Sequence, residues 1–258
     1  MSQLLNKLEK ISRGSPAPMG FGAASRVEKN PAMAFIGNLS RNHAQGANRL
    51  SHLEADGALL HGLDDQAALS QVTGALNGVP WGVRVDELDQ PRAQALLDSG
   101  CDFFVVSPEK ASVEAMKDDR AAYLIDLPAD AGERFLRAIE DLPVDALLLS
   151  LDPFQTPLTL QDLISITSVR SMFDKYLIIH AAAALTSKEI ECLRDVGVDG
   201  LMVDAGRTPE KELKDLKQRL FGIPKQRRPR SERMTAVLPR VGFHNAEADE
   251  FDDDDDEE

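Results

Sequence analysis

Short apolar runs alternate regularly with stretches of helical periodicity between residues 32 and 224. The apolar runs predict eight β-strands, at Met33–Ile36, Ala58–Leu60, Trp81–Val85, Phe103–Val106, Tyr123–Ile125, Ala146–Leu149, Leu177–Ile179 and Leu201–Val203. The intervening and final stretches predict helices at Ala44–Glu54, Asp65–Leu76, Gln90–Ser99, Lys110–Asp118, Ala131–Asp141, Leu160–Phe173, Ser187–Val196 and Pro209–Leu220. Strict alternation of strand and helix implies an α/β protein whose parallel sheet is covered by helices.

The number of strand–helix units favours a closed (β/α)8 TIM barrel over an open doubly wound sheet. An open sheet of that kind usually carries a glycine-rich phosphate loop after its first strand. Here the segment at that place is Gly37–Asn42, which has a single glycine. We therefore predict that residues 32–224 form one barrel domain.

The stretch Tyr176–Arg207 shows one such unit in detail. An apolar run ends at His180, and Thr186 with Glu189 has the spacing of a capping box that starts a helix. Gly197 stops that helix, and the next apolar run ends at Asp204. Strand, helix and parallel strand follow each other here, which is a βαβ unit.

Two segments lie outside the predicted barrel. Residues 1–31 form an N-terminal extension, with a short helix over residues 2–12 followed by the loop Gly14–Pro31. Residues 225–258 are predicted to be a disordered tail, basic at Lys225–Arg230 and acidic at Glu247–Glu258. Blocks of like charge repel one another and have little to bury, so they do not fold alone.

Composition excludes several classes of protein. The net charge of −14 argues against a nucleic-acid-binding surface. No apolar run approaches the roughly 20 residues that a membrane-spanning helix needs, and the N-terminus lacks the apolar core of a secretory signal. Cys101 and Cys192 cannot form a disulfide framework, and we expect both to be buried and unreactive. A cytoplasmic protein is therefore expected.

In a TIM barrel, reactive groups lie where the strands end and the loops to the helices begin. The candidates for catalysis at these positions are His61, Arg84, Asp126 and His180. The candidates for ligand binding are Asn38, Asp86, Ser107, Asp152 and Asp204. Each aspartate has an alternative role in a turn or as the cap of the next helix.

The residue types suggest distinct tasks. Histidine exchanges protons near neutral pH, so His61 and His180 suit acid–base catalysis. Arg84 suits a carboxylate or phosphate of the ligand, or an ion pair with a neighbouring aspartate. His61, His180 and two aspartates could also supply a metal site, but their spacing matches no metal motif and we predict none. No lysine ends a strand and no G-x-S-x-G motif occurs, which disfavours Schiff-base and serine chemistry.

The last two strand–helix units resemble those of phosphate-binding barrels such as indole-glycerol-phosphate synthase and flavin-dependent barrel oxidoreductases. The shared residues are Thr186, Glu189 and Ile190, the run Leu193 to Gly200, and Leu201–Val203. The resemblance implies a TIM-barrel enzyme with a phosphorylated ligand or FMN. In that group, glycines after the last two strands approach the phosphate, whereas this chain has Ala181-Ala182 and Asp204-Ala205. Gly206 offers a displaced binding position.

Two hypotheses about function follow. The first is a small-molecule barrel enzyme acting on a phosphorylated or carboxylated metabolite, either a lyase or isomerase or a flavin-dependent oxidoreductase. The second is a catalytically degenerate barrel that serves as an adaptor, with its acidic tail binding a basic protein partner. Assembly into a homo-oligomer is compatible with both.

Overall fold

The computed structural model describes residues 1–13, 31–63, 65–127, 131–150 and 157–223. Eight parallel strands form a closed barrel in sequential order. The strands are β1 Ala34–Leu39, β2 Gly57–His61, β3 Trp81–Val85, β4 Phe103–Val106, β5 Ala122–Leu127, β6 Ala146–Ser150, β7 Tyr176–His180 and β8 Gly200–Asp204. The α-helices are α1 Gln3–Arg13, α2 His43–His52, α3 Gln66–Leu76, α4 Gln90–Asp98, α5 Glu133–Glu140, α6 Leu160–Met172, α7 Ser187–Asp195 and α8 Glu210–Gly222. The predicted (β/α)8 barrel is confirmed.

Pairing between the first and last strands closes the sheet. β1 runs parallel to β8 from Ala34 opposite Gly200 to Asn38 opposite Asp204. Each of the eight predicted strands is present, and several continue past their apolar run. His61, Asp126, His180 and Asp204 therefore belong to strands rather than to the loops that follow them.

The predicted helix Lys110–Asp118 is wrong. Only a short 3-10 helix, Val113–Met116, is present between β4 and β5. Backbone groups on either side of Ala111 are committed elsewhere, because Leu88 N–H donates to Lys110 and Ser112 N–H donates to Leu88. Groups bonded across to Leu88 cannot also form the successive bonds of an α-helix.

Two apolar layers account for the core. Alternate strand residues point outward and pack beneath the helices, as Phe35, Leu60 and Val83 do. The residues between them fill the inside of the barrel, where Ile36, Leu59, Val105, Leu124, Leu148, Ile178 and Met202 are buried. Side chains in a strand alternate between its two faces, so this second set occupies the barrel interior as a packed core.

Helix α1 covers the amino end of the barrel. Its apolar residues Leu4, Leu8 and Ile11 pack against the interior cluster. Asp102, which immediately precedes β4, accepts hydrogen bonds from the Ser2 hydroxyl and from the backbone N–H groups of Gln3 and Leu4. Because Asp102 stands at the start of a strand, these bonds fix α1 at the end opposite to the predicted site. The short helix expected over residues 2–12 is thus confirmed.

Local signals in the last strand–helix unit are also confirmed. The Thr186 hydroxyl accepts a bond from Glu189 N–H, and the Glu189 carboxylate accepts one from Thr186 N–H at 2.7 Å. Gly197 follows the helix with a φ of 93°, a conformation that side chains disfavour. The first turn and the stop of α7 are therefore set by the residues that predicted them.

The two cysteines differ. Cys101 is buried, and burial raises the pKa of its thiol to about 12. Cys192 lies exposed on α7, so the expectation that both would be buried is wrong for Cys192. A helix residue can be close to a boundary in sequence and still face outward.

Some predictions fall on residues that the structure does not describe. These are the loop over residues 14–30, the tail over residues 225–258 and Asp152. The domain boundaries at residues 31 and 224 stay predictions. Within the described parts of the chain, no helix is both long and apolar enough to cross a bilayer.

Candidate functional site

A ring of polar side chains follows the apolar interior at the carboxyl end of the barrel. Each strand contributes the residue two positions after its last apolar interior residue, which puts it on the same face of the strand. The ring consists of Asn38, His61, Arg84, Ser107, Asp126, Ser150, His180 and Asp204. Ser150 was not among the predicted site residues, although the alternation Ala146, Leu148, Ser150 could have identified it.

The register divides this ring into two layers. Neighbouring strands in an eight-stranded TIM barrel are offset by about one residue, so interior side chains form layers from alternate strands. Asn38, Arg84, Asp126 and His180 come from the odd-numbered strands and form the lower polar layer. Below them are Leu59, Val105, Leu148 and Met202. Ionisable groups thus lie directly on an apolar floor.

Arg84 and Asp126 form an ion pair inside this layer. Arg84 Nη2 donates to Asp126 Oδ1 at 3.1 Å, which connects β3 to β5 above β4. The side chains are 28% and 35% exposed, so the pair is neither sealed off nor freely solvated. Arg84 Nε is buried and has no hydrogen-bond partner among the described residues. A guanidinium has five N–H donors, and Asp126 accepts only one bond here.

The Asp126 carboxyl is less acidic than a free aspartate. Burial raises its pKa, and the positive charges of Arg84, His180 and His61 act in the opposite direction. Three of the four residues predicted to be catalytic therefore act electrostatically on the fourth. The structure brings His61, Arg84, Asp126 and His180 into one electrostatic neighbourhood.

His180 lies in the same layer as Asp126, directly on the apolar floor. Burial lowers the pKa of its imidazole, Asp204 and Asp126 oppose that change, and Arg84 reinforces it. The ring makes no hydrogen bond to any described residue, so neither of its nitrogens is already committed there. The neutral imidazole favoured by burial is the form that accepts a proton.

Asn38 and Asp204 meet where the barrel closes. Asn38 Nδ2 donates to Asp204 Oδ1 at 2.8 Å, and the two residues are also direct partners in the β1–β8 register. His61 has a different neighbour, because a ring nitrogen of His43 donates to the His61 carbonyl at 2.9 Å. That contact ties the start of α2 to the end of β2.

The remaining predicted ligand-binding residues lie outside the lower layer. Asp86 is exposed beyond the end of β3, and Ser107 is half-buried directly after β4. Gly206 is buried against the β1–α2 loop, where an added Cβ would come within 2.0 Å of the Arg41 carbonyl oxygen. A packing constraint therefore accounts for this glycine without a ligand, and its role in binding stays a prediction.

The β8–α8 loop is held to the β1–α2 unit by side chains of that unit. Arg49 Nη1 donates to the carbonyls of Ala205 and Thr208 at 3.0 Å and 2.9 Å. Asn42, whose φ is 49°, donates through Nδ2 to the Gly206 carbonyl. The carbonyls of Ala205 and Gly206 are thus occupied by protein donors. In the parts of the chain that are described, no group of three or more His, Cys, Asp or Glu residues could hold a metal.

No protein-family model matches the chain, and no curated protein sequence does. Solved structures do resemble it. An alpha subunit of tryptophan synthase from Pyrococcus furiosus is 14% identical, with a TM-score of 0.56 over 75% of this chain and 99% of that one. KGPDC from Streptococcus mutans is 12% identical, with a TM-score of 0.56 over 73% and 97%. Tryptophan synthase from M. tuberculosis is 13% identical, with a TM-score of 0.58 over 86% and 98%.

These likenesses concern the fold. At such low identity they establish the TIM-barrel architecture and transfer no residue roles. The neighbours share the barrel architecture that the resemblance in the last two strand–helix units implied. The chain is thus a divergent TIM barrel for which no individual family is identified.

Proposed function

We propose that this protein is an enzyme that binds a small carboxylated or phosphorylated metabolite at the mouth of the barrel. It would catalyse proton transfer to and from that metabolite. Arg84 would anchor the anionic group, and Asp126 and His180 would exchange protons with the ligand. This places the reaction among lyase or isomerase chemistry. The observation that carries the proposal is the position of Arg84, largely uncommitted, beside two titratable groups on an apolar floor.

The free-energy cost of placing Arg84, Asp126 and His180 next to the apolar core supports a functional role for these residues. Charged groups next to an apolar core lose hydration, and an ion pair there is rarely more stable than apolar residues of similar size. A barrel kept only as a scaffold has no need for Arg84, Asp126 and His180 in one layer. Local departures from the rules of stable packing are expected at functional sites.

The hydrogen-bonding capacity of Arg84 supports an anionic ligand. Asp126 accepts from Nη2 alone, and Nη1 has no partner among the described residues. An arginine can bind a carboxylate or phosphate through two parallel N–H bonds while it keeps a third to a protein group. Asp126 would then fix the guanidinium rather than neutralise the site.

The titration behaviour of the two other groups supports proton transfer. Burial raises the pKa of Asp126 and lowers that of His180, so the two values move toward each other from opposite sides. The raised pKa brings Asp126 closer to neutral pH, where it carries a proton more readily, and the lowered pKa keeps His180 in the neutral form that accepts one. An acid and a base on neighbouring odd-numbered strands can act on the same ligand.

The first experiment is to identify what the purified protein carries. Native mass spectrometry of the full chain, followed by denaturation and analysis of the released small molecules, is expected to yield a carboxylate or phosphate compound. Visible absorbance at flavin wavelengths would instead favour the flavin-dependent alternative. Neither the described residues nor the structural neighbours support the adaptor hypothesis.

The second experiment tests Arg84 directly. Isothermal titration with succinate and with inorganic phosphate should show that Arg84→Met weakens binding of whichever anion the wild type binds by about 10- to 100-fold, the effect of losing charged hydrogen bonds. Arg120→Met is the matched control, because Arg120 pairs with Asp118 on the exposed surface before β5, at the other end of the barrel. Equal affinities in the Arg84 variant and the wild type would contradict the proposal.

A further inference from the structure

We infer that Asp204 is a positioning residue, held by Asn38, which orients the His180 imidazole and stabilises its protonated form. The inference rests on the proposed function, because it concerns the proton transfer assigned to His180. It adds two residues to that chemistry and gives each a task. Neither residue needs to touch the ligand to perform it.

The register brings Asp204 next to His180. His180 on β7 is the direct partner of Met202 on β8, and Asp204 follows two residues later on the same face. Because of the stagger between neighbouring strands, Asp204 stands in the layer directly above that of His180, and the two side chains are neighbours across the β7–β8 pair. Met202 lies in the apolar floor, so the Asp204 carboxylate is the polar group that β8 offers to His180.

Asn38 holds one oxygen of this carboxylate and leaves the other available. Oδ1 of Asp204 accepts the bond from Asn38 Nδ2, whereas Oδ2 has no hydrogen-bond partner among the described residues. Asn38 is itself fixed, since its backbone carbonyl accepts from Ala205 N–H at 3.0 Å. A carboxylate with one oxygen held can direct its second oxygen at a ring N–H.

The surrounding charges distinguish Asp204 from Asp126. The charges that act on His180 come from Asp204 on β8, Arg84 on β3 and Asp126 on β5, and Asp204 is the strongest of the three. Asp126 forms an ion pair with Arg84, whereas Asp204 is bonded to a neutral amide. The negative charge of Asp204 is therefore the one available to balance an imidazolium.

The chemical step is balanced without any further reactant. The lone pair of one His180 ring nitrogen takes a proton from the ligand, and the electron pair of the broken bond remains on the ligand. The other ring nitrogen keeps its proton and, as the ring becomes positively charged, donates it in a hydrogen bond to the Asp204 carboxylate, a bond that is absent among the described residues before the step. When the proton returns to the ligand at a different atom, the protein is restored.

The test follows His180 in the full-length protein by NMR. The ring resonances of the 5 histidines can be titrated with pH and assigned through His180→Gln. Asp204→Asn should lower the pKa of His180, and by more than Asp126→Asn does, because a stronger favourable charge is lost. Asp215→Asn, an exposed substitution on α8, is the matched control and should leave His180 unchanged.

A second variant, Asn38→Ala, tests the inference even if Asp204→Asn does not fold. The chemical shifts of the His180 ring nitrogens should report one tautomer in the wild type and a mixture of two tautomers in Asn38→Ala. Asn48→Ala on α2 is the control and should behave as the wild type does. An Asp204→Asn shift no larger than that of Asp215→Asn, or an unchanged tautomer in Asn38→Ala, would overturn the inference. Those outcomes are independent of anion binding by Arg84, so either proposal can fail alone.

Discussion

Asp102 accepts a hydrogen bond of 2.7 Å from the hydroxyl of Ser2, a residue 100 positions earlier in the chain. The same carboxylate accepts two backbone N–H bonds from the first turn of α1, at 2.6 Å and 2.9 Å. A buried side chain before β4 thus caps a helix that belongs to no strand–helix unit. This relationship makes the N-terminal helix part of the barrel.

The first prediction concerns this cap. Asp102→Ala should lower the free energy of unfolding by about 2–3 kcal/mol, because three donors lose their acceptor and two are buried. Urea unfolding of the full chain measures the change. Asp119→Ala, an exposed substitution in the same region, should stay within about 0.5 kcal/mol of wild type. Equal stabilities for the two variants would contradict the role of Asp102.

The second prediction compares two glycines. Gly206→Ala should destabilise the protein by about 1–3 kcal/mol, because the new Cβ would overlap the Arg41 carbonyl. Gly74→Ala, inside α3 with nothing within 4 Å of the new Cβ, should stabilise it by about 0.5–1 kcal/mol. Thermal or urea unfolding gives both values. A neutral Gly206→Ala would show that the β8–α8 loop moves easily away from the β1–α2 loop.

The third prediction concerns pH. The pKa of Asp126 is raised by burial in the folded state, so the folded protein binds more protons than the unfolded chain between the two pKa values. The penalty of ionised Asp126 is therefore fully present above its folded pKa and vanishes below the unfolded value of about 3.9. Relative to Asp126→Asn, the wild type should gain stability as the pH falls through this window. Urea unfolding of both proteins across that pH range measures the difference. A relative loss of wild-type stability as the pH falls would contradict the prediction.

The fourth prediction concerns the start of α7. Thr186→Ala should cost about 1 kcal/mol, because it removes the acceptor of Glu189 N–H and breaks the capping box. Ser168→Ala removes a hydroxyl from inside α6, where it bonds the Ile164 carbonyl, and should change stability by only a few tenths of a kcal/mol. The difference between the two variants in the free energy of unfolding, measured in urea, gives the contribution of the cap. Similar costs would mean that α7 does not depend on it.

The fold was largely predictable because its signals are local. Each strand has an apolar run, and the alternation of runs and helices leaves few other architectures. The helix predicted at Lys110–Asp118 failed since its backbone is bonded to Leu88, which lies in a different unit. No pattern within the segment reveals a competitor for hydrogen bonds that comes from elsewhere in the chain.

The site was predictable as a set of positions and not as a set of contacts. Strand ends identified His61, Arg84, Asp126 and His180, but the Arg84–Asp126 bond depends on the stagger between β3 and β5. Ser150 was missed because the polar residue expected after β6 was sought two positions later. The pairing of Asn38 with Asp204 requires the closure of the barrel, which joins residues 166 positions apart.

Helix α1 closes the amino end of the barrel among the described residues. The interior below the polar ring is filled by side chains, and the amino end is closed by Leu4, Leu8 and Ile11. Within the described part of the chain, the approach to His180 is therefore from the carboxyl end, and a released molecule would leave by the same side. Under the proposed function, substrate and product would share this side of the barrel, so turnover should be sensitive to substitutions at that rim and insensitive to changes around α1 that preserve the fold.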